Sequence, residues 1–221
     1  MSKTSIVILI ILLVAIGLYF YLGPKSKKNK NQSIAPVVEQ PTSVSVSNKK
    51  VVMVVASENF RDEEYFEPKT ILEEQGVIVK TASNKAGVAR GVGGREANVD
   101  LLITDVNPAD FDAVIFVGGP GSLENLDNDN SYQLAQSTLG QGKILAAICV
   151  SPVILAKAGV LKDKEATVWS SPEDRSSIQV LEDNGAKYVD QAVVVDGRII
   201  TANGPAAAQE FGKKISELLG L

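Results

Sequence analysis

Residues Ile144 to Leu161, Ile-Leu-Ala-Ala-Ile-Cys-Val-Ser-Pro-Val-Ile-Leu-Ala-Lys-Ala-Gly-Val-Leu, constrain the fold of this chain more than any other stretch. Five apolar residues without alternation describe a strand buried on both faces, which antiparallel sheets with a wet side do not require and parallel α/β sheets do. The run then reverses at Cys149 and re-enters as a helix with Pro152 in its first turn, where a missing amide costs nothing. A side chain at such a strand-to-helix corner stands over the carboxyl edge of the sheet, near the positive end of a helix dipole. A thiol there is most easily made a thiolate, so the spacing predicts a depressed pKa for Cys149.

The rest of the chain alternates in the same manner. Lys50 to Ala56 is a continuous apolar run, Asp62 to Gln75 reads as a helix with an acidic first turn, and Val77 to Ala82 as the next strand. Val88 to Val92 and Glu96 to Ile103 suggest a hairpin around Gly93-Gly94. Asp112 to Val117 resumes the sheet and ends in Gly118-Gly119-Pro120-Gly121, and Asp129 to Leu139 leads as a helix to the Ile144 strand. Beyond the corner, a short strand over Ala166 to Trp169, a helix over Pro172 to Asn184, a hairpin turning at Asp196-Gly197 and a last helix from Pro205 to Leu219 complete the pattern. Strands alternating with helices predict a three-layer α/β sandwich with a mostly parallel central sheet.

Ahead of this domain lies different material. Ile6 to Leu22 carries no charge, and its seventeen residues reach about 25 Å as a helix, the short end of a bilayer span. Residues 1–24 therefore read as a transmembrane anchor and residues 25–49 as a basic, polar tether to a domain over residues 50–221. Lys25, Lys27, Lys28 and Lys30 outweigh Lys3 on the opposite flank, which orients that domain to the cytoplasm. Residues 51–221 carry 15 basic and 25 acidic side chains. That balance argues against nucleic acid as a partner.

Two features could carry chemistry beside Cys149, the only cysteine, and one absence limits it. The acidic cluster Asp62-Glu63-Glu64 follows the first strand at the same sheet edge; a carboxyl there can hold a proton and donate to sulfur if burial raises its pKa. Asp62 and Glu63 read better as a solvated helix start. Gly118 and Gly119 let backbone amides approach an oxyanion unobstructed. Finally, the chain has no histidine, so no Cys-His pair or histidine metal site can form, and neither a metal nor a cofactor is indicated.

The Phe-x-Asp-x-Glu cluster, the Val-Gly-Gly strand end, the Ala-Ala-Ile-Cys-x-x-Pro corner and Thr201-Ala202-Asn203-Gly204-Pro205 together resemble the DJ-1/PfpI family, within the flavodoxin-like, class I glutamine amidotransferase-like fold. The resemblance implies that Cys149 is the reactive cysteine, Glu64 the glutamate that bonds its sulfur, and Gly119 with the amide of Val150 the oxyanion-stabilising groups. It also implies action on small carbonyls or carbonyl-modified proteins, of the glyoxalase III or deglycase kind, and a homodimer. Three positions depart from the family pattern: Val150 and Ser171 stand where histidines occur, and Ser151 replaces glycine. Gly118, Ser171 and Asn203 are accessory candidates. Alternatives that the missing histidine leaves open are a redox sensor or chaperone-like binding module, a member kept for an interaction surface, and a degenerate peptidase.

Overall fold

The computed structural model describes residues 47–221. Seven strands form the main sheet: β1 (Lys50–Val55), β3 (Ile78–Ser83), β6 (Leu101–Leu102), β7 (Ala113–Phe116), β8 (Ile144–Ile148), β11 (Val193–Asp196) and β12 (Ile199–Ala202). Their spatial order is β11-β12-β8-β7-β1-β3-β6, and every pairing is parallel except β11 with β12. This is the mostly parallel, flavodoxin-like α/β architecture that the alternating apolar runs predict.

The unbroken apolar character of β1 has a direct structural reading. Val52, Val54 and Ala56 belong to one buried cluster and Val51, Met53 and Val55 to the other, so successive residues feed the two faces in turn. On β8, Leu145 and Ala147 join the first cluster, while Ile144, Ala146 and Ile148 join the second together with Cys149. Helices cover both faces: α1 (Asp62–Glu74) and α6 (Ala208–Leu219) pack together on one, and α3 (Asp129–Gly140), α4 (Pro152–Lys157) and α5 (Ser176–Asp183) lie on the other.

From β1 the chain crosses through α1 to β3 on one side, whereas β7 lies on the other side of β1. The order therefore reverses beside β1, and the loops leaving β1, β7 and β8 meet above three adjacent strand ends. That crevice is where open α/β sheets bind ligands.

A small sheet rims the crevice: β2 (Glu58–Phe60) pairs with β4 (Gly87–Gly91), which forms a hairpin with β5 (Glu96–Val99). Asp62 fastens this hairpin to α1. Its carboxylate accepts from the amides of Gly93 (2.6 Å) and Arg95 (3.1 Å), and Arg95 lays its guanidinium over the Phe66 ring, 3.3 Å from its centre. Asp62 is buried, which corrects the reading of a solvated helix start. The partners that make burial affordable come from a loop about thirty residues downstream.

Several elements differ from expectation. The strand over Ala166 to Trp169 shrinks to β9 (Glu165–Ala166), paired with β10 (Lys187–Tyr188), because the chain then bends so that the Trp169 amide donates to the Cys149 carbonyl at 2.8 Å. The helix expected from Pro172 begins only at Ser176, since Ser171 to Asp174 close a turn of their own. A helix that the sequence reading omitted, α2 (Pro120–Leu126), starts directly after the glycine pair with Pro120 in its first turn.

The expected anchor at Ile6 to Leu22 and the tether up to residue 46 lie outside the described residues. Among the described residues no helix is long and apolar enough to cross a membrane. The longest, α1, has 13 residues and spans about 20 Å, against the ~30 Å of a hydrocarbon core. The membrane localisation, with its cytoplasmic orientation and membrane partner, is accordingly withdrawn.

Candidate active site

Cys149 directly follows β8 and takes a φ of +65°, a left-handed backbone that non-glycine residues rarely adopt. Such a residue costs about 1–3 kcal/mol and persists only where its surroundings impose it. Here the imposition is visible on both sides: the Cys149 amide donates to the Ala202 carbonyl at 2.9 Å, and its own carbonyl accepts from Trp169. The corner thereby turns the sulfur toward the crevice, leaving the residue 7% exposed.

Ser151, where the family pattern has glycine, also braces the corner. Its buried hydroxyl donates to the Val117 carbonyl at 2.9 Å and lies 2.7 Å from the Ser122 hydroxyl, tying the start of α4 to the end of β7 and to α2. Ser151→Ala is expected to lower stability by about 1–3 kcal/mol, because it strands two buried polar groups. A drop in the urea midpoint at unchanged slope checks it.

Glu64 sits in the first turn of α1 and is wholly buried. Pro68, four residues on, has no amide to bond the Glu64 carbonyl, so the helix ladder is open at this turn. At strict hydrogen-bond geometry neither carboxyl oxygen is matched by a donor among the described residues, although the Cys149 thiol and the Gly118 amide lie close enough to act on it. Burial lifts its pKa from 4.5 to about 7; the Cys149 thiol, the Arg61 charge and the Gly118 amide pull it down without offsetting burial.

The thiol is pushed up as well, to about 12, by burial first and then by the charge and hydrogen bonding of Glu64, while the amides of Gly119 and Val150 lower it. This corrects the depressed thiol predicted from the corner alone. The two rises are linked, since a charged carboxylate is part of what holds the thiol up. Moving the thiol's proton onto Glu64 removes that charge, so the pair titrates as one unit with a shared proton.

Gly118 explains how the two groups come so close. A Cβ there would lie 2.5 Å from the Cys149 Cβ and 2.6 Å from Glu64 Oε2. Gly119 has a φ of +115°, and a Cβ on it would meet the Arg61 amide at 2.4 Å. The Gly118 carbonyl accepts from that same amide at 2.9 Å, locking the β7 turn to the start of α1.

Above the sulfur opens a cleft of about 240 Å³ lined by Arg61, Gly119, Pro120, Cys149, Val150, Trp169 and Pro205. The structure thus brings together Cys149, Glu64, Gly118, Gly119 and Val150. It does not bring Ser171 or Asn203 to the cleft wall. The Ser171 hydroxyl is occupied by Glu173 and the Asp174 amide, and the Asn203 backbone N–H donates to the Ala192 carbonyl. Arg61, Pro120, Trp169 and Pro205 are the cleft residues that sequence reasoning did not assign to the site. Arg61 had a signal, its place inside the Phe-x-Asp-x-Glu cluster, but nothing in the sequence places it in the cleft.

The profile of the DJ-1/PfpI family matches residues 49–218. An uncharacterised protein of Methanocaldococcus jannaschii is 44% identical over 172 residues, 77% of this chain and 82% of that protein. A deglycase of Pyrococcus abyssi is 33% identical over 76% of this chain and 98% of its own length. Among solved structures, a ThiJ/PfpI domain protein from Brachyspira murdochii superposes with a TM-score of 0.72 at 37% identity, covering 77% of this chain and 96% of that one.

Proposed function

Because this chain belongs to the DJ-1/PfpI family, we propose that it is a deglycase-like enzyme that attacks carbonyl carbon with Cys149 and moves the proton with Glu64. The observation that carries the proposal is a buried carboxyl of pKa about 7, without a salt-bridge partner among the described residues, beside the cysteine sulfur that opens onto a cleft. Burial without a compensating partner costs stability, and groups perturbed in this way concentrate at functional sites.

The chemistry follows from the shared proton. As the sulfur adds to an aldehyde or ketone carbon, the S–C bond forms and the C=O π bond opens. The thiol proton passes to Glu64 and from there to the new alkoxide or to a leaving group. The negative oxygen that develops meets the amides of Gly119 and Val150, which already face the sulfur. One acid suffices for reversible addition to a carbonyl. With no histidine in the chain, a peptidase reading lacks a second group to protonate an amine as an amide bond breaks.

A sensing role competes on one observation: the same two amides and a protonated Glu64 would also stabilise a sulfinate on Cys149. Methylglyoxal consumption separates the two. Wild type should consume it, Cys149→Ser should fall to background, and Glu64→Gln should lose ~10²–10⁴-fold, the usual worth of a general acid–base group. Equal consumption by wild type and Cys149→Ser would remove the enzyme reading and leave the sensor.

A further inference from the structure

We propose that Arg61 makes the Cys149 cleft selective for carbonyl compounds that carry a carboxylate, the 2-oxo acids and aldehyde acids, over neutral carbonyls of the same size. The inference rests on the proposed carbonyl chemistry and names its substrate class.

Arg61 caps the start of α1 and lines the cleft with Cys149. Its backbone is fixed by the 2.9 Å bond to the Gly118 carbonyl, so the residue is tied to the same turn that spaces Cys149 from Glu64. Its side chain has no salt-bridge partner among the described residues. The guanidinium Nε is buried and donates to nothing among them. A buried donor left unmade is costly, and a carboxylate is the acceptor whose two oxygens match the guanidinium fork.

Glu64 does not fill that role. The Arg61 charge is felt at its carboxyl, but no salt bridge or hydrogen bond joins the two. The remaining cleft wall is Pro120, Val150, Trp169 and Pro205, surfaces for a short carbon body and not for further charge. A substrate with an aldehyde over the sulfur and a carboxylate on the adjacent carbon would present one oxygen to the Gly119 and Val150 amides and its carboxylate to Arg61. In the addition step the S–C bond forms at the aldehyde carbon, the π electrons go to oxygen, and the thiol proton follows through Glu64. The product is a thiohemiacetal that requires no other reactant.

Paired alkylating agents test the selectivity without turnover. Iodoacetate and iodoacetamide have the same leaving group and read the same thiolate population. Their rate ratio therefore cancels any change in Cys149 ionisation when Arg61 is altered. Wild type should favour iodoacetate by about tenfold relative to a free thiol in the same buffer. Arg61→Gln should bring the ratio to the free-thiol value, and Arg61→Lys should keep part of the preference. Glyoxylate should protect wild-type Cys149 from iodoacetamide with saturation and fail to protect Arg61→Gln, whereas methylglyoxal should protect both alike.

A wild-type ratio equal to that of the free thiol, or a ratio unmoved by Arg61→Gln, overturns the proposal. So does equal glyoxylate protection of wild type and Arg61→Gln. If methylglyoxal and glyoxylate both protect but neither is consumed, the carboxylate selectivity stands and the turnover reading fails, so the two claims fall separately.

Discussion

Glu64→Gln is expected to stabilise the protein by about 3 kcal/mol at pH 8 and by nothing measurable at pH 4, while costing it its proton shuttle. The carboxyl has a folded pKa of about 7 against 4.5 when free. Between those values the unfolded chain has released this proton and the native state retains it. The native state then binds more protons than the unfolded one, and stability falls as pH rises. The contribution is present in full below pH 4.5 and is lost through pH 7. A difference of 2.5 units corresponds to about 3 kcal/mol, since each unit is worth ~1.4 kcal/mol.

Glutamine keeps the shape of the protonated acid and cannot ionise, so the variant does not suffer this loss. In a domain of this size 1 kcal/mol shifts Tm by about 2–4 °C. The variant should therefore melt roughly 6–12 °C above wild type at pH 8 and level with it at pH 4. A Tm difference independent of pH would mean that Glu64 ionises as freely in the folded protein as outside it. The iodoacetamide rate supplies a second readout. Wild-type labelling should rise through pH 7 as the pair loses its first proton, and Glu64→Gln should lack that inflection.

The parts of this site legible in the sequence are those fixed by local pattern. The unbroken runs of β1 and β8 reveal a doubly covered sheet because parallel strands bury both faces. The Cys149 corner follows from a strand that stops and a helix that opens on Pro152. The β11–β12 hairpin is announced by the Asp196-Gly197 dipeptide, but its loop is Gly197-Arg198: Gly197 takes φ +62° while Asp196 still pairs with Ile199, one residue later than a type I′ turn on the dipeptide would put it.

What the sequence did not disclose depends on contacts between distant segments. Asp62 looks like any acidic helix start until the amides of Gly93 and Arg95 arrive from the hairpin. Trp169 looks like strand until its amide is claimed by Cys149. Arg61 joins the Cys149 cleft only with its backbone held by the turn after β7. The thiol pKa was misread for the same reason. Corner geometry and dipole are local and favour the thiolate, but burial and the neighbouring carboxyl arise from tertiary packing and outweigh them.

Gly118→Ala should damage the site at its centre, where the sulfur and the carboxyl approach each other. Gly118 has no left-handed backbone that would demand glycine, so the requirement is for space. The added Cβ would stand 2.5 Å from the Cys149 Cβ, 2.6 Å from Glu64 Oε2 and 2.7 Å from the Ile148 carbonyl oxygen, each short of ordinary contact by about 1 Å. None of these neighbours can swing aside. Cys149 is held by Ala202 and Trp169, Glu64 is walled in on α1, and Ile148 is part of the β8 ladder. Overpacking in such surroundings costs typically 1–3 kcal/mol, and three rigid neighbours put this case at about 3.

The chemical penalty is larger than the thermodynamic one. The methyl wedges apart the sulfur and the acid, and a displacement of ~1 Å in reacting groups costs about 10²-fold in rate. Gly140→Ala provides the control: it lies at the end of α3, its Cβ would meet nothing within 4 Å, and alanine there should leave stability level or slightly improved. Denaturant midpoints, methylglyoxal consumption and iodoacetamide rates on the two variants read both effects. If Gly118→Ala keeps wild-type labelling and the wild-type midpoint, the sulfur and the carboxyl are not pressed together across this glycine, and the shared proton loses its structural basis.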